Sequence, residues 1–119
     1  MNEIDDGTYR TFASGATRNS SHSKLDFEGF LSAPVIEAYA RYMNKHRKQK
    51  DGTLRASDNW QKLFGENHYD VCAKSAWRHF FEFWKAHRGY KTKASLEDSA
   101  MGVLFNIMAY MHKRLQDHE

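Results

Sequence analysis

From Ser95 to about residue 115 the chain reads SLEDSAMGVLFNIMAYMHKRL, and Leu96, Ala100, Val103, Leu104, Ile107, Met111 and Leu115 recur at three- to four-residue spacing. That period belongs to a helix of about 3.6 residues per turn. The apolar residues wrap most of the circumference, so this helix needs cover on nearly every side. The narrow stripe left over holds Asp98, Gly102, Asn106, Ala109 and Lys113. Small residues beside polar ones suit a cleft wall, where a second helix or a ligand comes close; a buried, hydrogen-bonded Asn106 is the plainer alternative. Ser95 with Asp98 three residues on is a capping-box-like start.

Two further helices fit the pattern. Ser32 with Pro34 just inside opens the first, in which Val35, Tyr39, Tyr42, Met43 and His46 recur through about residue 48. Its basic end, RYMNKHRKQK (41–50), reads either as cations complementing the helix carbonyl dipoles or as an arm that tracks phosphate. The next helix runs from about Tyr69 to Arg88 and is closed by Gly89. Its wheel places Tyr69, Ala73, Ala76, Phe80, Phe83, Trp84 and His87 on one broad face, expected to be core. Lys74, Ser75, Arg78, His79, Glu82 and Lys85 share the other side, with Arg78 and Glu82 four apart and able to pair. Residues 50–67, with Asp-Gly and Asp-Asn turn signals, read as a long connecting loop. Residues 1–23, rich in Ser, Thr, Gly and Asn without an apolar period, read as a flexible leader or lid. No alternating strand pattern of useful length appears, so the expected fold is all-α: a small bundle of about three main helices within a single 24–119 domain.

Composition bounds the function classes. A 119-residue chain is one domain's worth, and its single cysteine, Cys72, excludes an internal disulfide and any multi-cysteine zinc site. Cys72 falls on an apolar face, where a buried, inert thiol is expected. No run is long and apolar enough to span a membrane and no signal-peptide pattern opens the chain, so a soluble, cytoplasmic protein is expected. A formal net charge of +3 fits an anionic ligand without saying which.

The ordered set SDNWQK, KSAWRHFFEFW and LEDSAMGVLFNIMAYMH, preceded by GATRNSSHSKLDFEGFLSAP, resembles the phage family named for the dATP/dGTP diphosphohydrolase amino-terminal domain, across roughly residues 15 to 115. The resemblance implies kinship with the all-α, oligomeric MazG-like nucleoside triphosphate pyrophosphohydrolases, and a location in the host cytoplasm. It implies a hydrolase cleaving a purine dNTP to dNMP and pyrophosphate, with carboxylates holding Mg²⁺ or Mn²⁺ against the phosphates. Carried onto this chain, it makes Glu82, Glu97 and Asp98 the metal ligands, and Glu82, Asp98 and His79 the catalytic set. Lys24, Asn59, Trp60, Lys62, Arg78 and Asn106 become the nucleotide-binding residues. Asn106 suits a base edge because its amide both donates and accepts.

The chain has neither the Glu-Glu-x-x-Glu nor the Glu-x-x-Asp spacing of the MazG-like group, and Glu97 and Asp98 lie about 100° apart on a helix. A second reading therefore stands beside the first: a nucleotide-binding protein without hydrolysis, sequestering a nucleotide or a nucleotide-derived immune signal in an anti-defence role. A third, nucleic-acid binding, is disfavoured because the aromatics sit at core spacing rather than on a stacking platform. So much Phe, Trp and Met on about three helices also predicts a homo-oligomer.

Overall fold

A computed structural model of the chain describes residues 4–5, 9–11, 13–19 and 24–118, which fall into two compact units, Met1–Ala33 and Pro34–Glu119. In the first, β1 (Ile4–Asp5), β2 (Tyr9–Thr11) and β3 (Thr17–Asn19) form an antiparallel meander in the order β1-β2-β3. The register pairs Ile4 with Thr11 and Arg10 with Arg18. These strands were not expected; at two or three residues each they are too short to carry a readable alternation. A short helix, α1 (Phe27–Phe30), follows, its start capped by Asp26, whose Oδ1 accepts from the Gly29 N–H at 2.9 Å. Of residues 1–23, expected as a flexible leader or lid, positions 1–3, 6–8, 12 and 20–23 lie outside the described residues.

The larger unit is all-α, as expected. It contains α2 (Ala33–Lys45, whose first residue closes the preceding unit), a 3-10 turn (Asn59–Lys62), α3 (His68–His87) and α4 (Leu96–Asp117). The Ser95 hydroxyl caps α4 by accepting from the Asp98 N–H at 3.1 Å. Gly89, at φ +85°, closes α3 in the left-handed conformation that glycine adopts at least cost. Among the described residues no helix is long and apolar enough to cross a membrane.

α3 and α4 pack as an antiparallel hairpin, tied at one end by the Tyr69 hydroxyl donating to Asp117 Oδ2 at 2.6 Å. Near the same end, His68 is fully buried and spans three segments. Its Nδ1 accepts from the Phe64 N–H at 3.1 Å, so the ring proton sits on Nε2 and is donated to the Ala109 carbonyl at 2.8 Å. Halfway along, His79 lies flat against Gly102: a Cβ added there would sit 2.5 Å from the imidazole Nδ1.

The seam consists of small and polar groups. His68, Cys72 and Ala76 on α3 and Ser99, Gly102, Asn106 and Ala109 on α4 are its buried residues. The stripe read from the sequence as a cleft wall is thus where the second helix comes close, and Asn106 is buried, its Nδ2 donating to the Gly102 carbonyl at 2.8 Å. The expected face of α3 needs correction. Ala73, Phe80, Trp84 and His87, placed on the core face, are exposed, whereas His79, placed on the opposite side, lies in the seam. Two backbones approach closely only through small side chains, and the aromatics are too bulky for the contact that Gly102 and Ala109 offer.

Candidate functional site

Residues 46–55, which span the expected end of the first helix and the start of the expected loop, form a pinned reverse turn, the helix ending at Lys45. Gln49 N–H donates to the Thr53 carbonyl at 2.8 Å, Arg55 N–H to the Arg47 carbonyl at 2.8 Å, and Lys48 pairs with Leu54. Asp51 and Gly52 make the tip. Asp51 Oδ1 accepts from the Thr53 N–H and hydroxyl at 3.0 and 2.6 Å, which holds the Asp51 carboxyl below its usual range, and Gly52 takes φ +87°.

This turn sets two arginines side by side. Arg47 Nε donates to the Arg55 carbonyl at 2.8 Å and its Nη1 to Asn44 Oδ1 at 3.1 Å, while Arg55 Nη1 donates to the His46 carbonyl at 3.1 Å. Both guanidiniums are oriented by neutral oxygens, and neither meets a carboxylate among the described residues. Each keeps further N–H donors for a ligand.

The arginines line a cavity of about 590 Å³ between the end of α2, this turn, the 3-10 turn and the α3/α4 hairpin. Trp60 and Phe64 form an aromatic wall, each edge-on to Phe105 at ring separations of 6.0 and 6.3 Å. Leu63 between them takes φ +71°, a costly conformation for a leucine that reverses the chain so that both rings serve the same cavity. His46 and His79 approach from α2's end and from α3. Burial holds the His79 imidazole below its ordinary value, and the neighbouring Arg78 and His46 charges add to this. Asn106 completes the lining; its carbonyl oxygen and second N–H stay available after the bond to Gly102. Among the described residues, no aspartate or glutamate lines the cavity.

Of the residues singled out from sequence, Asn59, Trp60, His79 and Asn106 come together here. Arg78 and Lys62 are exposed and outside the lining, and Lys24 belongs to the Met1–Ala33 unit. The expected Arg78–Glu82 pair does not form; Glu82 instead has Lys85 at 3.9 Å. Asp98 is ion-paired to Lys45, which ties α2's last turn to α4's first, and Glu97 is exposed. No three His, Cys, Asp or Glu side chains cluster as metal ligands among the described residues, so Glu82, Glu97 and Asp98 do not converge on one ion. Glu82 does retain a buried Oε2 without a hydrogen-bond partner, as does the Ser99 hydroxyl. Antiparallel packing with His79 against Gly102 sets these two level, one turn further along each helix.

No protein-family model, curated protein or solved structure matches the chain. The site must speak for itself.

Arg55 was missed from sequence, and His46 and Arg47 stood out only within the basic run 41–50, read either as a helix end or as a phosphate-tracking arm. Two arginines flanking an Asp-Gly turn, eight positions apart, were the available signal: residues placed about a hairpin tip face each other across it. Cys72 is the inert thiol expected. It is buried, burial pushes its thiol up, and the nearby His68 nitrogen, 3.6 Å away, already carries the ring proton and cannot serve as its base.

Proposed function

We propose that the cavity binds a mononucleotide or nucleotide-derived anion without turning it over, and that the protein acts by sequestration. The lining carries this reading: Arg47 and Arg55 with His46 and His79, opposite an aromatic wall of Trp60, Phe64 and Phe105, and no carboxylate to repel phosphate. Guanidinium forks match phosphate oxygens, the rings offer apolar surface to a base, and the Asn106 amide can both donate to and accept from a base edge. A volume near 590 Å³ is in the range of small-ligand sites.

A second reading is favoured by one observation, the buried Glu82 Oε2, which has no hydrogen-bond partner and only the Lys85 ammonium at 3.9 Å. It is a divalent-cation-dependent pyrophosphohydrolase acting on a purine dNTP, the activity that the sequence resemblance implies.

Titration calorimetry with each common NTP and dNTP, with and without Mg²⁺ or Mn²⁺, followed by chromatography of the same samples, separates the two. Tight binding with unchanged nucleotide, lost in Arg47→Ala/Arg55→Ala, is the expected result. Monophosphate and pyrophosphate that vanish in Glu82→Gln would replace it with the second reading. Binding indifferent to both arginines would refute the cavity as the site.

A further inference from the structure

We infer that a second face of the α3/α4 hairpin is a self-association surface, on which a second copy of this chain packs through the same residues to make a four-helix bundle. The inference goes beyond ligand binding and does not rest on it. A groove of about 600 Å³ runs along this face, floored by Cys72, Ala76 and Asn106 and walled by Trp77 and Phe80 on α3 and by Val103, Ile107 and Met111 on α4. Among the described residues, no charged side chain lines it.

Three observations select a second copy as the occupant. The first is the shortage of core within one chain: among the described residues the buried apolar side chains are Cys72, Ala76 and Ala109 alone, while Trp77 is 67% exposed, Phe80 43%, Ile107 51% and Met111 40%. With aromatic side chains hiding 150–250 Å² each when buried, the groove residues leave on the order of 500 Å² of apolar surface in water. Trp84 and Leu115, also exposed, extend the strip toward either end of the hairpin, toward the roughly 800 Å² per partner that a standard interface hides.

The second observation is charge. A partner bringing charged side chains would bury them unpaired, whereas an isologous contact offers the same uncharged surface from both sides. The third is relief. Trp77 and Phe80, stacked with ring centroids 6.0 Å apart and planes 14° apart, stand beside a hollow floored by small side chains. Knob and hole on one face are what a two-fold contact requires. α3 and α4, at 20 and 22 residues, are also matched in length, so two hairpins can close side by side.

Sedimentation of the full chain over a micromolar dilution series tests this, with Trp77→Lys and Ile107→Lys as separate variants. The expected wild-type mass is twice that of one chain, and each variant should sediment at half the wild-type mass with its helical circular dichroism retained. A wild type that stays monomeric at the highest concentration overturns the inference and leaves the face to a different protein. A dimer surviving both substitutions overturns it as well, because another face must then hold the copies. Should the variants fail to fold, hydroxyl-radical oxidation of wild-type Trp77 and Met111 decides the matter. Their oxidation rises several-fold on dilution if the groove is the interface, and an unchanged rate refutes it.

Discussion

Two hollows flank one hairpin and share Asn106, yet their linings are chemically opposed. One gathers Arg47, Arg55, His46 and His79 beneath the end of α2; the other holds Trp77, Phe80, Ile107 and Met111, each of them exposed. The contrast arises because the α3/α4 seam is built from small and polar side chains, so the largest apolar residues are turned outward. Burial within one chain therefore follows the geometry of close approach rather than hydrophobicity alone. The cationic hollow is completed by local turns; the apolar one needs a surface from elsewhere.

The largest expected effect comes from a residue that underlies both. His68→Ala removes one buried and one part-buried hydrogen bond and a ring from the seam, leaving the Phe64 N–H without its acceptor, and should cost about 2–4 kcal/mol in a denaturant titration. Phe64 and Ala109 lose their link, so ligand affinity and self-association should decline together. Loss of one without the other would show that the two hollows do not depend on a common seam.

A sharper separation follows from the arginines. Arg47→Ala/Arg55→Ala should weaken nucleotide binding roughly 10- to 100-fold, the weight of about one charge-assisted hydrogen bond at about 1.5–3 kcal/mol. Sedimentation should be unchanged, because neither side chain lines the apolar groove. A change in mass with this variant would break the division between the two faces.

Gly102→Ala probes the seam itself. The added methyl meets the His79 ring and must push it aside, an overpacking cost of about 1–3 kcal/mol offset by up to about 1 kcal/mol of improved helix propensity. A net loss near 1 kcal/mol is expected. The double variant Gly102→Ala/His79→Ala should recover most of it, since the ring that the methyl struck is gone. Additive losses in the two single variants would mean that the contact is not the cause.

How much of this was legible in the sequence depends on the residue. The helices, their Ser95 and Gly89 ends and the special stripe through Gly102, Asn106 and Ala109 could be read directly, because period and capping are local properties. The facing of α3 could not, since a wheel ranks faces by hydrophobicity and has no knowledge of how near the partner helix lies. Asn59, Trp60, His79 and Asn106 were legible as site residues. Arg47, read as part of a basic helix end, and Arg55, read as connection, could not be joined, because their meeting depends on the cross-turn bonds that Asp51 and Gly52 permit. The proposed acidic trio was an inference from family order; Lys45 holds Asp98, and the helix start turns Glu97 to solvent.

The smallest effect concerns pH and is confined to the cationic hollow. His79 lies below its ordinary value of about 6.5 in the folded chain. As pH falls through about 6.5 the unfolded chain takes up a proton that the folded chain resists, so this group's contribution to stability is intact above that point, declines below it, and levels off once the folded imidazole is also charged. A bound phosphate reverses the preference at the site, because an anion beside His79 favours the imidazolium. Affinity should therefore gain, by less than tenfold, between pH 7.5 and 5.5. The other titratable or charged groups facing the cavity are His46, Tyr42, Arg47 and Arg55. The ligand's own phosphate also loses charge near pH 6. The informative quantity is thus the difference between wild type and His79→Gln measured with one ligand, in which the phosphate's titration cancels. A wild-type gain that persists undiminished in His79→Gln would assign the effect to His46 or the ligand. A gain that shrinks would place His79 in contact with the anion and set the cationic hollow apart from the apolar one, where no charged group stands to respond.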